Sequence, residues 1–431
     1  MSEATYIDTS LTRADTTTRR LIYLYIFLLF FEGGLRKWIL PQLSGPLTIV
    51  RDPVMVGIIF SYLTSGRKLL NAYTLPIVAL GLFSFVLTLG LGHQNIIIDL
   101  FGLRTLVLHF FLIFIAGNVL TRTDVETIGR YAIYFLPLMT LIIGLQFYSP
   151  QSAFVNRGVG GDLEGAGFSG TMGYLRPSGT FSFTNGSVTY FSFAAAYLFY
   201  FLGESNRIGK IALIVGFVSA VVAIPLSISR TYIVQFAASG LFFFLLSLRS
   251  GKSIRNLAIA FLLAPIALVA LSTLEFFQTA LSVLTNRFEV ANRAEGGLDS
   301  SISDRFLGGL IRAFTESEDI PWHGMGLGIG TNVGSTVLTG RKVFLVGEGE
   351  WSRIVGEMGI WLGGSVLILR LVLSVHLLIS GCLAALRGNA LPFMLLSFGF
   401  LKVLLGGWSQ PTSHGFSMLA AGLIIASFNK D

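Results

Sequence analysis

Long apolar segments recur along the whole chain and alternate with shorter polar stretches. A helix crosses the hydrocarbon core of a bilayer with about 20 apolar residues, each adding about 1.5 Å. The pattern therefore predicts an all-α, polytopic membrane protein with about twelve transmembrane helices. The predicted spans lie near residues 21–38, 47–65, 73–92, 105–120, 131–148, 183–203, 211–228, 231–248, 257–274, 354–380, 391–408 and 414–428.

Two long polar stretches, 149–182 and 275–353, separate the N-terminal (1–148), central (183–274) and C-terminal (354–431) transmembrane parts. The second stretch carries apolar residues at helical spacing, which predicts two amphipathic helices. The first contains Phe277, Leu281, Leu284 and Phe288, and the second contains Ile302, Phe306 and Leu310. The following GMGLGIGTNVG is too rich in glycine for a regular helix.

Composition agrees with a lipid environment. The 431 residues are 53% hydrophobic and 12% charged, whereas soluble domains are about 25% charged. A soluble globular enzyme, a disordered protein and a free nucleic-acid-binding protein are therefore excluded. The net charge of +7 comes from basic residues scattered among apolar runs. Cys382 is the only cysteine, which excludes an internal disulfide framework and a cysteine zinc site.

Basic residues in short loops predict the orientation, because cytoplasmic loops carry an excess of Lys and Arg. One set falls on a single side of the predicted topology and makes both termini cytoplasmic. It comprises Arg13, Arg19, Arg20, Arg67, Lys68, Arg122, Arg130, Arg207, Lys210, Arg249, Lys252, Arg255, Arg387 and Lys430. The two long loops then lie on the outer side.

A second set of basic residues, mostly arginines, lies on or near that outer side. It comprises Arg36, Lys37, Arg51, Arg104, Arg157, Arg176, Arg230, Arg287, Arg293, Arg305, Arg312, Arg341, Lys342, Arg353 and Lys402. An arginine toward the centre of a membrane helix costs about 2.5–3.5 kcal/mol, so something must compensate it. One explanation is snorkelling or pairing with Asp52, Asp99, Glu350 or Glu357. The other is a shared anionic ligand such as a lipid phosphate, which guanidinium binds bidentately.

Motifs of soluble enzymes are absent: the chain has no P-loop, HExxH, GxSxG, CxxC or D-x-D. The five histidines show no metal-ligand spacing, so we expect neither a metal nor another cofactor. His109 and His376 lie inside predicted spans, where a hydrogen bond to a neighbouring helix is the simplest interpretation. His323 and His414 lie on the outer side and remain open to a functional role.

Four segments together resemble the O-antigen ligase/polymerase superfamily of bacterial inner-membrane glycosyltransferases, which has a GT-C-like helical fold. Arg176 begins RPSGTFSFTNGSVTYF, Arg230 lies in LSISRT, and Arg305 begins RFLGGLIRAF ahead of the glycine-rich segment. The fourth segment, EGEWSRIVGEMGIWLGG, is similar to the family's His-Asn…Glu-x-Gly-x-x-Gly. Here Glu348 and Gly349 occupy the positions of the histidine and asparagine, a departure that resembles exopolysaccharide polymerases more than lipopolysaccharide ligases.

The resemblance implies a metal-independent polymerase that joins undecaprenyl-pyrophosphate-linked oligosaccharide repeats at the periplasmic face. Glu348, or else Glu350, would act as base, with Arg230 and Arg305 also catalytic. The residues that would bind pyrophosphate are Arg104, Arg176, Arg230, Arg305 and Arg353, and His323 and Glu357 are further candidates. Partners would be the lipid-linked oligosaccharide, membrane lipid, and a chain-length regulator and flippase of the same pathway, without nucleic acid.

Other classes of function stay open from the sequence. An O-antigen ligase would transfer the glycan to a lipid A core instead of to another repeat. A transporter or flippase of an anionic lipid-linked saccharide would need arginines along a central path that opens to both sides. A non-catalytic assembly partner would not need arginine at so many span ends.

Overall fold

The computed structural model describes residues 9–164, 169–248, 273–295, 313, 315, 320–341, 343, 345–347 and 349–429. It is mostly helical, which confirms the all-α prediction. The helices are α1 (Thr9–Gly34), α2 (Arg51–Thr64), α3 (Thr74–Leu91), α4 (Ile96–Val107), α5 (Phe111–Val119), α6 (Arg122–Tyr148), α7 (Thr184–Gly203), α8 (Lys210–Leu226), α9 (Arg230–Ser247), α10 (Glu275–Glu295), α11 (Asn332–Thr339), α12 (Glu350–Leu386), α13 (Ala390–Leu405) and α14 (Pro411–Ala426). Within the described residues, the strands β1 (Ser169–Thr171) and β2 (Tyr174–Leu175) form one antiparallel hairpin.

Six helical segments of the described part are long and apolar enough to cross a membrane. They are Pro46–Thr64, Thr74–Leu91, Ile96–Val119, Arg122–Tyr148, Arg230–Ser247 and Glu350–Leu386. Lys210–Leu226 and Ala390–Leu405 are shorter apolar helices. Most of the predicted span 257–274 lies outside the described residues, so the count of twelve and the GT-C-like architecture stay predictions.

Polar caps set helix starts that hydrophobicity alone placed less well. The span expected at 105–120 begins earlier, because the Asn95 side chain accepts hydrogen bonds from the backbone of Ile97 and Ile98 and starts α4 there. Its polar residues Asp99 and Arg104 had made the apolar run look shorter. Helix α6 begins at Arg122 after a capping box between Thr121 and Asp124.

Helix α7 forms the centre of the bundle. It contacts α6, α8, α9, α13 and α14, and nearly all its residues are buried. A helix that is apolar on every side is expected in such a central place. Aromatic rings fill the space around it: Tyr190 meets Phe30 edge-on at 5.4 Å between centroids, and Phe193 meets Phe398 at 5.6 Å.

Residues of the predicted cytoplasmic set gather at one end of the bundle. Arg67 pairs with Asp15 at 2.7 Å, and its Nη1 donates to the backbone oxygen of Asn118. Arg207 pairs with Glu126 at 2.6 Å. The long loop 149–182 contacts the opposite end, where Lys37 donates to its residues 178 and 179. The charge pattern predicts that this loop-bearing end faces outward.

Cysteine labelling tests this orientation. In a Cys382→Ala background, Met172→Cys and Thr336→Cys are expected to react with an impermeant thiol reagent added to the periplasm, because both side chains are exposed at the loop-bearing end. The matched control Lys68→Cys, exposed at the opposite end, should react only after the cells are opened. The reverse pattern would invert the topology.

Helix α12 reverses direction at Gly359, which has a positive φ of 75°. In a straight helix the Cα atoms of Glu350 and Arg370 would lie about 30 Å apart, yet their side chains form an ion pair at 3.3 Å. A Cβ on Gly363 would lie 2.8 Å from the backbone oxygen of Ile354. The segment before Gly359 therefore folds back along the rest of α12, which corrects the straight span predicted at 354–380.

Gly359→Ala is expected to destabilise this reversal severely. An added Cβ would lie 1.9 Å from the backbone oxygen of Trp322, in addition to the strain of the positive φ. Gly388 is the matched control, because its φ is 88° but no atom lies within 4 Å of the added Cβ. Gly388→Ala should lose only about 1–2 kcal/mol from backbone strain. The thermal midpoints of the two purified variants measure the difference, and equal midpoints would contradict the reversal.

The large loop confirms one amphipathic helix, since α10 contains Phe277, Leu281, Leu284 and Phe288 and packs against α8 and β1. The second predicted helix, at residues 302–310, lies outside the described residues. Most of GMGLGIGTNVG is irregular as predicted, but its last three residues begin α11. The reason is a cap: the Thr331 side chain accepts a hydrogen bond from the backbone of Gly334.

Candidate functional site

Buried charged side chains meet where α1 and α2 approach α14. Glu32 accepts hydrogen bonds from Arg51 Nε at 3.0 Å and from Arg36 Nη1 at 3.3 Å. Arg51 also donates to the Tyr25 hydroxyl at 3.3 Å and to the backbone oxygen of Pro411 at 2.8 Å. One buried carboxylate thus holds two guanidiniums, and Arg51 ties three helices together.

A carboxylate on α2, Asp52, holds a third arginine. Asp52 forms a bidentate pair with Arg104, in which Arg104 Nη2 donates to Asp52 Oδ1 at 2.7 Å. His109 Nε2 lies 3.0 Å from the same Oδ1, and its Nδ1 lies 3.0 Å from the Tyr25 hydroxyl. This confirms the expected structural hydrogen bonding of His109. Tyr25 joins the two clusters, because it contacts both Arg51 and His109.

A chain of rings continues toward α12. The His109 and His414 rings lie 5.2 Å apart, and His414 stacks on Trp408 at 5.8 Å. The Arg370 guanidinium lies over Trp408, 4.2 Å from the ring centroid. Arg370 Nη2 also donates to the backbone oxygens of Val403 and Gly406, which satisfies carbonyls at the end of α13.

The third cluster lies at the start of α12. Glu350 accepts two hydrogen bonds from Arg353, at 2.8 and 3.0 Å, and one from Arg370 at 3.3 Å. Arg353 also pairs with Glu357 at 2.6 Å, as the sequence suggested for that glutamate. Glu357 Oε1 accepts the backbone N–H of Gly330 at 2.9 Å, which connects the cluster to the large loop.

The glycine-rich segment inserts between α12 and the pair α3–α4. The backbone N–H groups of Met325 and Gly326 donate to carbonyls of α12 at 2.8 and 3.1 Å. On the other side, the Leu327 backbone oxygen accepts a hydrogen bond from His93 Nε2 at 3.0 Å, and the Leu327 backbone N–H donates to Thr88 Oγ1 at 2.9 Å. Part of the loop that the sequence assigned to the outer surface is therefore built into the bundle.

For many of the outer arginines, these contacts decide between pairing with a carboxylate and binding a shared anionic ligand. The three clusters contain five arginines, Arg36, Arg51, Arg104, Arg353 and Arg370, and four carboxylates, Glu32, Asp52, Glu350 and Glu357. Their charges nearly cancel, five positive against four negative. Pairing therefore offsets most of the cost of burying these arginines. For Arg104 and Arg353 the geometry favours pairing over direct pyrophosphate binding.

A cavity of about 290 Å³ lies above the first cluster at the loop-bearing end. Arg36 and Pro411 line it from the bundle, Val159 and Phe183 from the segment around the first loop, and Asn332 from the start of α11. Most of its remaining lining is apolar or hydroxyl-bearing. A guanidinium beside an apolar wall suits a ligand that combines an anionic group with hydrocarbon.

Two lysines near this end differ from the paired arginines. Lys37 is buried and donates to Ser178 Oγ at 3.0 Å and to the backbone oxygen of Gly179 at 2.6 Å. Lys402 donates to Ser413 Oγ at 3.4 Å. Within the described part of the chain, neither lysine forms an ion pair with a carboxylate. Their positive charges are therefore not balanced by a carboxylate of the described residues.

Arg230 is the first residue of α9, and its position follows from a strained turn. Ile228 has φ 47°, which is unusual for a β-branched residue, and the Ser229 side chain caps the helix. The Ser239 and Ser397 hydroxyls lie 3.0 Å apart, and Gln235 donates to the Ser397 backbone oxygen. Because α9 and α13 are antiparallel, this register places Lys402 at the level of the first turn of α9.

Arg176 follows the β1–β2 hairpin, and that hairpin approaches the same turn. A Cβ on Gly170 would lie 3.1 Å from the Ile228 side chain and 3.5 Å from Arg176 Cγ. Arg176 also precedes Ser178, which contacts Lys37. The structure thus brings the hairpin, Arg176 and the start of α9 to one region of the loop-bearing end.

The other predicted site residues have different outcomes. Glu348 and Arg305 lie outside the described residues, so their roles stay predictions. His323 packs edge-on against the neighbouring Trp322 ring at 5.4 Å. His376, outside the site, has the expected hydrogen bond to another helix, with Nδ1 2.7 Å from the Tyr73 hydroxyl.

Sequence reasoning missed two charged members of the network. Arg370 was hidden inside an apolar span, although a charged residue within a span is itself a signal of function or pairing. Glu32 was missed although Arg36 follows it by four residues, because its other partner, Arg51, lies on α2. Comparison with protein-family models, curated proteins and solved structures finds no match to this chain.

Proposed function

We propose that this protein is a membrane glycosyltransferase that polymerises undecaprenyl-pyrophosphate-linked oligosaccharide repeats on the periplasmic side of a bacterial inner membrane. The observation that carries the proposal is the cavity at the loop-bearing end, where Arg36, which gives Glu32 a single hydrogen bond at 3.3 Å, lies beside apolar and hydroxyl-bearing side chains. Lys37 and Lys402, which lack carboxylate partners within the described residues, add positive charge near this end. A lipid pyrophosphate combines the anionic and apolar groups that such a site suits.

The reaction requires stabilisation of a leaving pyrophosphate. An acceptor hydroxyl of one repeat attacks the anomeric carbon of another, the new glycosidic bond forms, and the bond to pyrophosphate breaks. Preorganised cations lower the energy of the charge that develops on the leaving group. We assign this role to Arg176, Arg230 and Arg305, with the lysines in support, because these three arginines lie in the segments that resemble the glycosyltransferase family, and Arg176 and Arg230 lie at the loop-bearing end.

A carboxylate must take the proton from the acceptor hydroxyl, and such a base contributes about 10²–10⁴-fold. Glu348 is our candidate. Glu350 is less suited to the task, because both of its oxygens accept hydrogen bonds from arginine and the ionised form is held in place.

The test uses the purified protein and a single lipid-linked repeat as the only substrate. We expect a ladder of longer lipid-linked glycans on gel or chromatographic separation, and Glu348→Gln should weaken this ladder by about 10²-fold or more. If a competent repeat gives no ladder but its glycan is transferred to added lipid A core, the protein is an O-antigen ligase and the polymerase proposal is wrong.

A transporter or flippase is the second candidate, and the buried network favours it. Ionisable residues inside a membrane bundle often line a path for ions or substrates, and here they connect α1, α2, α4, α12 and α14. Reconstituted vesicles separate the candidates. Movement of a labelled lipid-linked saccharide across the bilayer, without any change in its length, would support transport and contradict the polymerase.

A further inference from the structure

A second cavity, larger than the first, opens at the opposite end of the bundle. It measures about 550 Å³ and lies between α12, α5, α14 and the start of α3. Along α12 its lining runs from Leu373 to Arg387, a length of about 21 Å at 1.5 Å per residue. One leaflet contributes about 15 Å of hydrocarbon. The cleft thus has the length and direction of a lipid chain.

The wall of this cleft is apolar, and its polar side chains satisfy one another. Phe114, Leu377 and Phe428 contribute apolar surface. The Tyr73 hydroxyl and His376 Nδ1 lie 2.7 Å apart, and the Tyr73 ring stacks on Phe114 with centroids 5.7 Å apart. The Tyr73 hydroxyl and the His376 imidazole form a hydrogen bond with each other. A hydrocarbon chain can therefore pack beside them, because each polar group keeps its partner.

The mouth of the cleft carries groups that match an anionic head group. Arg387 is exposed there, and within the described residues its side chain forms no ion pair. Asn389 Nδ2 donates to the Ser427 backbone oxygen at 3.0 Å, whereas its buried Oδ1 accepts no hydrogen bond from the described residues. A ligand phosphate would pair with the Arg387 guanidinium. A ligand hydroxyl would donate the hydrogen bond that Asn389 Oδ1 lacks.

We propose that this cleft binds one glycerophospholipid of the phosphatidylglycerol type from the leaflet at the Arg387 end of the bundle. An acyl chain lies along α12, the phosphate contacts Arg387, and a head-group hydroxyl donates to Asn389. Basic pockets between transmembrane helices on the cytoplasmic side commonly bind anionic lipid head groups. The charge pattern predicts that this end is cytoplasmic, and the site is independent of the glycosyltransferase proposal.

Native mass spectrometry of the full-length protein in detergent tests the site with phosphatidylglycerol and, separately, phosphatidylcholine of the same chains. We expect one tightly held phosphatidylglycerol. Arg387→Gln should weaken it about fivefold, the factor that one basic residue adds at a membrane surface, and weaken phosphatidylcholine less, because the choline cation offsets the charge of its phosphate. Lys68→Gln, an exposed charge at the same end that does not line the cleft, is the control.

Filling the cleft tests the chain position. Ala384→Trp should weaken both lipids about tenfold, equivalent to two methylene groups that no longer find room. Ile379→Trp, on a part of α12 that is 54% exposed but does not line the cleft, is the matched control. Ser380→Leu is a smaller change in the same wall, and it covers the case in which Ala384→Trp fails to fold.

Three results would overturn the proposal. Equal affinity for the two lipids would contradict the head-group contact. Unchanged binding in both Ala384→Trp and Ser380→Leu would show that the lipid does not occupy the cleft. A dimer mass in the wild-type protein that Ala384→Trp abolishes would show instead that a second copy of the chain covers this surface.

Discussion

Arg230→Ala is expected to reduce formation of the glycan ladder about 10²–10³-fold while the protein still folds, because removing one preorganised charge donor from a transition state has an effect of this size. Arg230 begins α9 at the loop-bearing end, directly after the strained Ile228 and the cap Ser229. Arg230→Lys should restore little activity, since an ammonium lacks the bidentate fork of guanidinium. Arg305→Ala should have a similar effect.

The control for this experiment is Arg20→Ala, which removes an exposed arginine at the opposite end of the bundle. Its ladder should match that of the wild type. Ladder lengths and initial rates are measured on purified proteins of equal monodispersity. Full activity in Arg230→Ala would take this residue out of the site, and equal loss in Arg20→Ala would show that the assay reports general damage.

Glu350→Ala is expected to destabilise the protein by about 3–5 kcal/mol, the usual cost of leaving buried charges without their partner. Glu350 is the acceptor that holds Arg353 and Arg370 together, and both arginines are buried. Replacing it leaves one carboxylate, Glu357, for the two guanidiniums. We expect a lower thermal midpoint and a smaller folded fraction by size-exclusion chromatography.

Glu204→Ala is the matched control, because this glutamate is 48% exposed and lies 3.9 Å from Arg207. An exposed pair of this kind adds about 0–1 kcal/mol, so the midpoint should hardly move. Adding Arg370→Leu to Glu350→Ala should recover part of the lost stability, since the stranded charge is removed. A Glu350→Ala protein of normal stability that makes no product would place Glu350 in the chemistry instead.

The buried network and the proposed site are compatible, because the pairs that compensate charge also position the cavity wall. Arg51 links α1 and α2 to the start of α14 through Pro411, and Pro411 and Arg36 both line the cavity. Glu357 links the start of α12 to the glycine-rich loop through Gly330. A change in these pairs is therefore expected to alter the site indirectly, through the helices that carry it.

Local properties of the chain were sufficient to predict the helices and their membrane character. Apolar runs and the glycine-dense segment depend on residues close together in the sequence. The same holds for α10, whose apolar residues recur at helical spacing. The distribution of short-loop lysine and arginine also predicted which residues share an end of the bundle, and pairs such as Arg207–Glu126 lie together there.

Contacts between residues far apart in the sequence could not be predicted from these local properties. Asp52 and Arg104 are 52 positions apart, and Arg51 reaches Pro411 across 360, so the choice between ion pair and anion site for each arginine depended on how the helices pack. The reversal at Gly359 brings Glu350 to Arg370, whereas helical periodicity predicted one straight span. Both cavities likewise arise between elements far apart in the chain, because burial and charge compensation are properties of the assembled bundle.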